Sequence, residues 1–248
     1  MLKKLPLLLL LFLSCLDAKT LYSFTNLNIN YLDWSRQTEE STTKRDFSYV
    51  GLEGGAGWEW GSFYGFFNLE NPINRYDSTR DALRFSAFGD LDINIKSGFK
   101  LHIQNYHLQS DPFYVNDFVL GASYKYSSDF GLWVRPFLGL HITNSSYYDG
   151  FNGYMAGWTL NYDFKISDAN FSIFHWNEIE FARERSFYED SAGLPIGDAK
   201  RYGFHGALSG WWHSASAFST GLQYRYAKYK LGFAHYQSAI IYSLKYNF

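Results

Sequence analysis

The chain has 248 residues, 22 basic and 24 acidic side chains, 21% aromatics and a slightly negative mean hydropathy. Such a balance supplies no basic field for nucleic acid, so no nucleic-acid partner is expected. The single cysteine, Cys15, has no partner for a disulfide and no companion for a thiolate metal site.

The first element reads as a secretory signal over residues 1–18. Lys3 and Lys4 form a basic start, Leu5 to Leu13 is apolar except at Pro6, and Leu16 and Ala18 precede a cleavage point before Lys19. The apolar run is shorter than the roughly 20 residues a membrane-spanning helix needs. Phe12-Leu13-Ser14-Cys15 resembles a lipidation site only loosely, with Phe12 where Leu is usual. Residues 19–248 then form the mature protein.

After residue 20 the apolar residues fall at alternate positions. In Gly131 to Thr143, Leu132, Val134, Leu138, Leu140 and Ile142 alternate with Trp133, Arg135, Phe137, Gly139 and His141. Tyr154 to Phe164, Phe118 to Tyr126 and Ile240 to Phe248 repeat the pattern. A strand points successive side chains to opposite faces, so each strip has one apolar face and one mixed face. Twelve strips begin near residues 21, 47, 62, 82, 99, 116, 131, 153, 169, 203, 218 and 238. Short connections at Gly61-Ser62, Lys96 to Gly98, Ser127 to Phe130, Ile166 to Asp168 and His213 to Ala217 alternate with longer polar ones. The latter are Asp33 to Arg45, Glu70 to Asp81, Gln109 to Val115, Asn144 to Asn152, Ala182 to Tyr202 and Lys230 to Gln237.

A soluble β-sandwich would also alternate. Here, however, the mixed face carries Arg, Lys, Asp and Glu in strip after strip, too many for a dry core. The expectation is therefore an all-β fold: a transmembrane antiparallel β-barrel of about twelve strands in the bacterial outer membrane. Short periplasmic turns and long outer loops would alternate, with the lipid bilayer as partner.

Specific segments resemble a known family. YVGLE (Tyr49 to Glu53) followed by SFYGFFNLENP (Ser62 to Pro72) is similar to paired strands of the nucleoside-specific outer-membrane channels, the Tsx and OmpK family. WWHSASAF (Trp211 to Phe218) is similar to that family's turn between its tenth and eleventh strands, and the end SLKYNF to its terminal strand. Glu53 matches the second acidic position of the family's strand, whereas Gly51 and Asn68 stand where it has an acid. The resemblance implies passive diffusion of nucleosides or similar small solutes, with no cofactor.

Twelve strands enclose a lumen between the filled eight-stranded and the wide sixteen-stranded cases. Flat rings stack on aromatics for about 1–3 kcal/mol each, and hydroxyls bond carboxylates, amides and guanidinium groups. The resemblance offers Glu53, and strand phase places Tyr64, Phe66, Asn68, Phe88, Asp90, Trp133, Arg135, Phe137, Trp176, Glu178 and Arg225 inward, as candidate solute contacts. Arg84, Asp92, His102, Gln104, Tyr106, His141, Phe174, Glu180, His205, Trp211 and Gln223 share that face, while His175 and Asn177 turn toward lipid. A bland alternative for each is a packed side chain stiffening the barrel.

Enzyme readings are weaker. His205 with Ser209, or His213 with Ser214, would have to act as in an outer-membrane phospholipase, without a visible orienting group. The long Ala182 to Tyr202 loop also admits an adhesin role. The histidines are spread one per segment apart from His102 and His107, which lie on opposite strand faces, so no metal site and no catalytic residue is expected. A monomer is the expected state.

Overall fold

A computed structural model describes residues 18–73, 83–198 and 200–248. Residues 1–17, which hold most of the expected signal, and positions 74–82 of the second outer connection lie outside the described residues. The rest is a ring of antiparallel strands: β1 (Thr20–Trp34), β2 (Phe47–Trp58), β3 (Gly61–Glu70), β4 (Arg84–Lys96), β5 (Phe99–Ser110), β6 (Phe113–Tyr124), β7 (Leu132–Ser145), β8 (Asp149–Ile166), β9 (Ala169–Phe181), β10 (Gly203–His213), β11 (Phe218–Lys228) and β12 (Gln237–Asn247). Tyr126–Ser127 continues β6 against β7. Each strand pairs with its neighbour in sequence, and β1 pairs with β12 in the register Asn26↔Asn247 to Trp34↔Ala239. The ring is thereby closed and has no free edge, as backbone groups inside a bilayer require.

Burial is inverted relative to a soluble protein. Leu27, Ile29, Leu138, Leu140, Tyr242 and Leu244 are exposed on the outside, whereas Asn28, Asp92, His102, His141 and Ser209 are buried within. The contrast is large at neighbouring heights: Leu138 is 54% exposed and His102 0%. The period-two alternation thus separates a lipid face from a lumen face, and the outward phase expected for the strips at 118–126, 132–142, 154–164 and 240–248 holds, with Leu120, Leu138, Leu140, Tyr154, Tyr242 and Leu244 exposed.

Five turns at one end are short: Glu59–Trp60, Ser97–Gly98, Ser128–Gly131, Ser167–Asp168 and Ser214–Ala217. The first falls two residues earlier than Gly61-Ser62, which already belong to β3. At the other end, two connections expected to be long are tight. Ladder pairing runs to Ser110↔Phe113 and to Asn144↔Asp149, leaving Asp111–Pro112 and the four residues 145–148. Polar composition misled there, because the bonds that prolong the strands are backbone bonds and are indifferent to side-chain polarity. The remaining outer connections are larger; two of them carry the helices α1 (Arg36–Ser41) and α2 (Arg185–Tyr188).

The lipid-facing His175 and Asn177 are explained by their neighbours. Trp158 Nε1 donates to His175 Nδ1 at 2.9 Å, His175 Nε2 meets the Tyr226 hydroxyl at 3.1 Å, and that hydroxyl also donates to Asn177 Oδ1 at 2.8 Å. The chain crosses the outer face of β10 at Gly206, where a side chain would collide with the Tyr226 hydroxyl and the Asn177 amide. Polar groups facing lipid satisfy one another, as an apolar solvent demands.

One glycine governs a close approach inside. Gly121 pairs with His102 on β5 and Gly139 on β7, and the rings of His102 and Phe137 stack across it with centroids 4.6 Å apart. A Cβ at Gly121 would lie inside the van der Waals envelope of the Leu138 carbonyl oxygen and the Gly139 Cα. Gly121→Val is expected to destabilise the barrel by about 1–3 kcal/mol or more, the cost of overpacking. The check is the refolded fraction in detergent, read from heat-modifiable gel mobility; wild-type yield would contradict this account of β5–β7 packing.

Candidate functional site

The lumen is built from alternate residues of all twelve strands. On β1, Asn26, Asn28 and Asn30 form an inward ladder: Asn28 Nδ2 donates to Asn26 Oδ1 at 3.1 Å and Asn30 Nδ2 to Asn28 Oδ1 at 2.6 Å. Ser243 of β12 donates to Asn30 Oδ1 at 2.6 Å. Gly51 lies between this ladder and Asn68, whose amide groups occupy the volume that a side chain at position 51 would need. Position 51 thus has no room for an acidic side chain between these converging amides. These asparagines were legible as an N-x-N-x-N period but were not among the candidate residues.

Beside the ladder runs an aromatic wall. Phe24, Tyr64, Phe88 and Phe66 follow one another with centroid separations of 6.4, 6.0 and 5.4 Å, the last pair stacked. The Tyr64 hydroxyl donates to Glu53 Oε1 at 3.0 Å, and Lys245 Nζ donates to Glu53 Oε2 at 2.7 Å across β1. Glu53 is therefore held by a phenol and an ammonium from two sides. Lys245 also lies 4.1 Å from the Trp211 ring centroid.

Two groups of side chains span the lumen. Arg135 on β7 reaches past β6 and β5 to β4, where its guanidinium bridges Asp90 and Asp92, with Nη1 to Asp92 Oδ2 at 2.8 Å and Nη2 to Asp90 Oδ2. Asp92 also receives Ser123 Oγ at 2.7 Å and faces His102 Nδ1 at 3.0 Å. Farther round, Gln104 on β5 donates to Glu178 on β9 at 2.6 Å, with three strands between them. His205 lies 3.3 Å from Glu178 and edge-on to Trp176. These struts fill part of the cross-section with polar side chains.

The twelve candidate residues all face the lumen, but they do not form one site. Glu53, Tyr64, Phe66, Asn68 and Phe88 share the β2–β4 wall. Asp90, Arg135 and Phe137 belong to the first strut, and Trp176 and Glu178 to the second. Trp133 lies toward the periplasmic rim, 6.4 Å from Phe174 with Lys125 over its ring. Arg225 lies near the outer mouth.

Carboxylate and histidine groups converge in two places, contrary to the expectation of no ligand cluster: Asp90, Asp92 and His102 in one, Asp117, His141 and Glu180 in the other. A count of histidines along the chain could not find them, because ladder pairing puts His102 opposite Asp92 and tilts His141 toward Asp117. Neither cluster makes a convincing metal site. Arg135 already pairs with both carboxylates of the first, and Lys230 and Arg183 ion-pair with Glu180 in the second.

A closed barrel with an apolar belt outside and a polar, aromatic passage inside defines an outer-membrane channel for small solutes. The family model described as nucleoside-specific channel-forming protein, Tsx, matches residues 29–248, and the chain belongs to that family. Among solved structures the chain is similar to one described as the NanC porin. The two are 9% identical over 89% of this chain and 98% of that one, with a TM-score of 0.51. A bacterial polysaccharide outer membrane secretin is similar over 90% of this chain and 98% of that one, at 11% identity and a TM-score of 0.47.

Proposed function

We propose that the channel passes nucleosides or chemically similar small solutes down their concentration gradient, as a monomer and without enzymatic activity. Residues 1–18 serve as its export signal and are removed, leaving 19–248 as the barrel. The observation that carries the reading is the juxtaposition, around one lumen, of an aromatic wall and charged hydrogen-bonding groups. Phe66, Phe88 and Tyr64 offer ring faces, with Trp176 on the far wall, while Glu53, Asn68, Glu178 and the asparagine ladder offer acceptors and donors for sugar hydroxyls. A general porin lumen is mostly polar. Membership in the family of nucleoside-specific channels supports the same substrate class.

The enzyme alternative finds little support in the geometry. Ser209 donates to the Phe174 carbonyl and accepts from Trp211, while His205 turns to Glu178. Ser214 bonds within its own turn rather than to His213. Neither pair holds a hydroxyl against a base, which nucleophilic catalysis requires.

The test is single-channel conductance in a planar bilayer with adenosine, uridine or glucose added separately. Block by nucleosides but not by glucose is expected, and indifference to all three would overturn the reading. Phe88→Ala should raise the half-blocking nucleoside concentration about tenfold, the scale of one lost stacking contact. Trp176→Ala should act in the same direction. An unchanged block in both would remove the aromatic walls from the recognition.

A further inference from the structure

Most lumen charges are paired. Glu53 has Lys245, Glu70 has Arg84, Asp90 and Asp92 have Arg135, and Glu180 has Arg183 and Lys230. Arg225 differs. Among the described residues no carboxylate, carbonyl or amide accepts from its guanidinium, and its Nε is fully buried without a partner. The register shows why: the residues directly beside it are Ala207 on β10 and Ala239 on β12, both buried, and neither offers an acceptor.

Other cations gather around it. Arg225 is within electrostatic reach of Lys44, Tyr49, Tyr106 and His205, and Arg84 is within reach of Lys44 and Tyr106. Lys44 comes from the first outer connection, and its ammonium lies 4.5 Å from the Trp34 ring centroid, with no carboxylate paired to it among the described residues. Arg84 is the first residue of β4 and Arg225 sits three residues before the end of β11, so both lie at the outer end of the barrel, each within electrostatic reach of Lys44. Among the described residues their carboxylate neighbours are few: Glu70 is bound to Arg84 at 2.9 Å, and Asp198 is paired to Arg183.

Arg225 is half-buried with its Nε shielded from water; an unpaired charge so placed is costly, and a guanidinium cannot escape by losing its proton. An ammonium can. Burial first, and then the guanidinium groups of Arg225 and Arg84, hold the Lys44 pKa well below its ordinary value. The surplus of positive charge is thus felt by the one member able to yield.

We propose that Arg225, Arg84 and Lys44 form an anion station in the outer vestibule, seating the phosphate or carboxylate of an entering solute while its ring meets Tyr49 and Tyr106. The proposal rests on the channel reading above and narrows it to anionic, ring-bearing solutes of the nucleoside monophosphate class. The planar guanidinium fork suits two oxygens of one such group.

The experiment compares half-blocking concentrations of adenosine and adenosine monophosphate on the refolded full barrel in planar bilayers, with ribose 5-phosphate, ribose and glucuronate as further arms. Wild type is expected to bind the monophosphate about tenfold tighter than adenosine, the scale of one charge-assisted hydrogen bond. Arg225→Gln should bring that ratio toward one, and Arg225→Lys should keep part of it. Equal block by the two compounds in wild type, or a ratio unchanged in Arg225→Gln, overturns the station. Should Arg225→Gln not refold, wild type alone decides, through ribose 5-phosphate against ribose: a preference for the phosphate supports the station and equality removes it. Glucuronate tells whether a carboxylate serves as well as a phosphate. If ribose 5-phosphate and adenosine monophosphate block but adenosine does not, the station stands and the nucleoside reading falls. If adenosine and its monophosphate block alike, the reverse holds.

Discussion

Arg135→Leu should lower the stability of the barrel by about 3–5 kcal/mol, the cost of leaving buried charge without its partner. Asp90 and Asp92 stand two residues apart on the same face of β4 and are almost completely buried. One guanidinium bridges both, so its loss leaves two like charges side by side, with only His102 and Ser123 to respond. Leucine fills volume but supplies no donor. The readout is the temperature at which the folded, fast-migrating gel band converts to the unfolded one, together with single-channel conductance. A fall in that temperature and a rise in conductance are both expected, because Arg135 is also a strut across the lumen. Adding Asp90→Asn to Arg135→Leu should recover part of the stability, since it removes one orphaned charge, and the double-mutant cycle measures the coupling directly. Wild-type melting in Arg135→Leu would mean that the bridge is solvated and contributes little.

Strand positions were legible because alternation is a local property. Each of Leu138, Leu140 and Ile142 needs lipid on its own side, and that requirement is written every second residue. The phase follows from it, so the inward placement of residues such as Phe66, Arg135 and Trp176 was readable too. Cross-lumen partners were not. Arg135 meets residues 43 and 45 positions away, and Gln104 meets Glu178 at a separation of 74. Those meetings depend on ring closure and on the stagger between strands, which no single strip encodes. The same holds for Asp117 with His141, and for the lipid-facing Trp158, His175, Tyr226 and Asn177, where a seeming breach of the pattern is a closed hydrogen-bond chain. The isolation of Arg225 was likewise invisible, because it depends on which residues stand beside it on the neighbouring strands.

The long outer connection between β9 and β10 supplies the second large effect. Arg183, fully buried, donates to the carbonyls of Lys200, Tyr202 and Tyr229 at 3.3, 3.4 and 2.8 Å and ion-pairs with Glu180. It thereby ties both ends of the connection to the turn between β11 and β12. Phe187 adds an apolar anchor, its ring edge-on to Tyr148 at 5.4 Å. Arg183→Met removes the three carbonyl bonds at once. Hydrogen bonds to a charged donor contribute about 1.5–3 kcal/mol each, though not additively. A local opening free energy lower by about 3 kcal/mol makes the open form about a hundredfold more populated. Trypsin reads this directly: Arg185, Lys200 and Arg201 lie in the segment, and the Lys200 carbonyl is one of those Arg183 holds. Cleavage of the folded barrel in detergent should be about a hundredfold faster in the variant; equal rates would show that the connection is held by Phe187 and its neighbours instead. Asp198→Asn should behave differently. Burial raises the Asp198 pKa above its ordinary value against the pull of Arg183, so the charged form is the costly one in the docked state. A raised folded-state pKa means stability present at low pH and lost as pH rises through that value, so near neutrality the charge opposes docking. The asparagine keeps an oxygen for the Gly232 N–H, which now bonds Asp198 at 2.8 Å, and carries no charge. Its cleavage rate should match wild type or fall below it, and a rate as fast as that of Arg183→Met would assign the latch to the Arg183–Asp198 pair rather than to the carbonyl bonds.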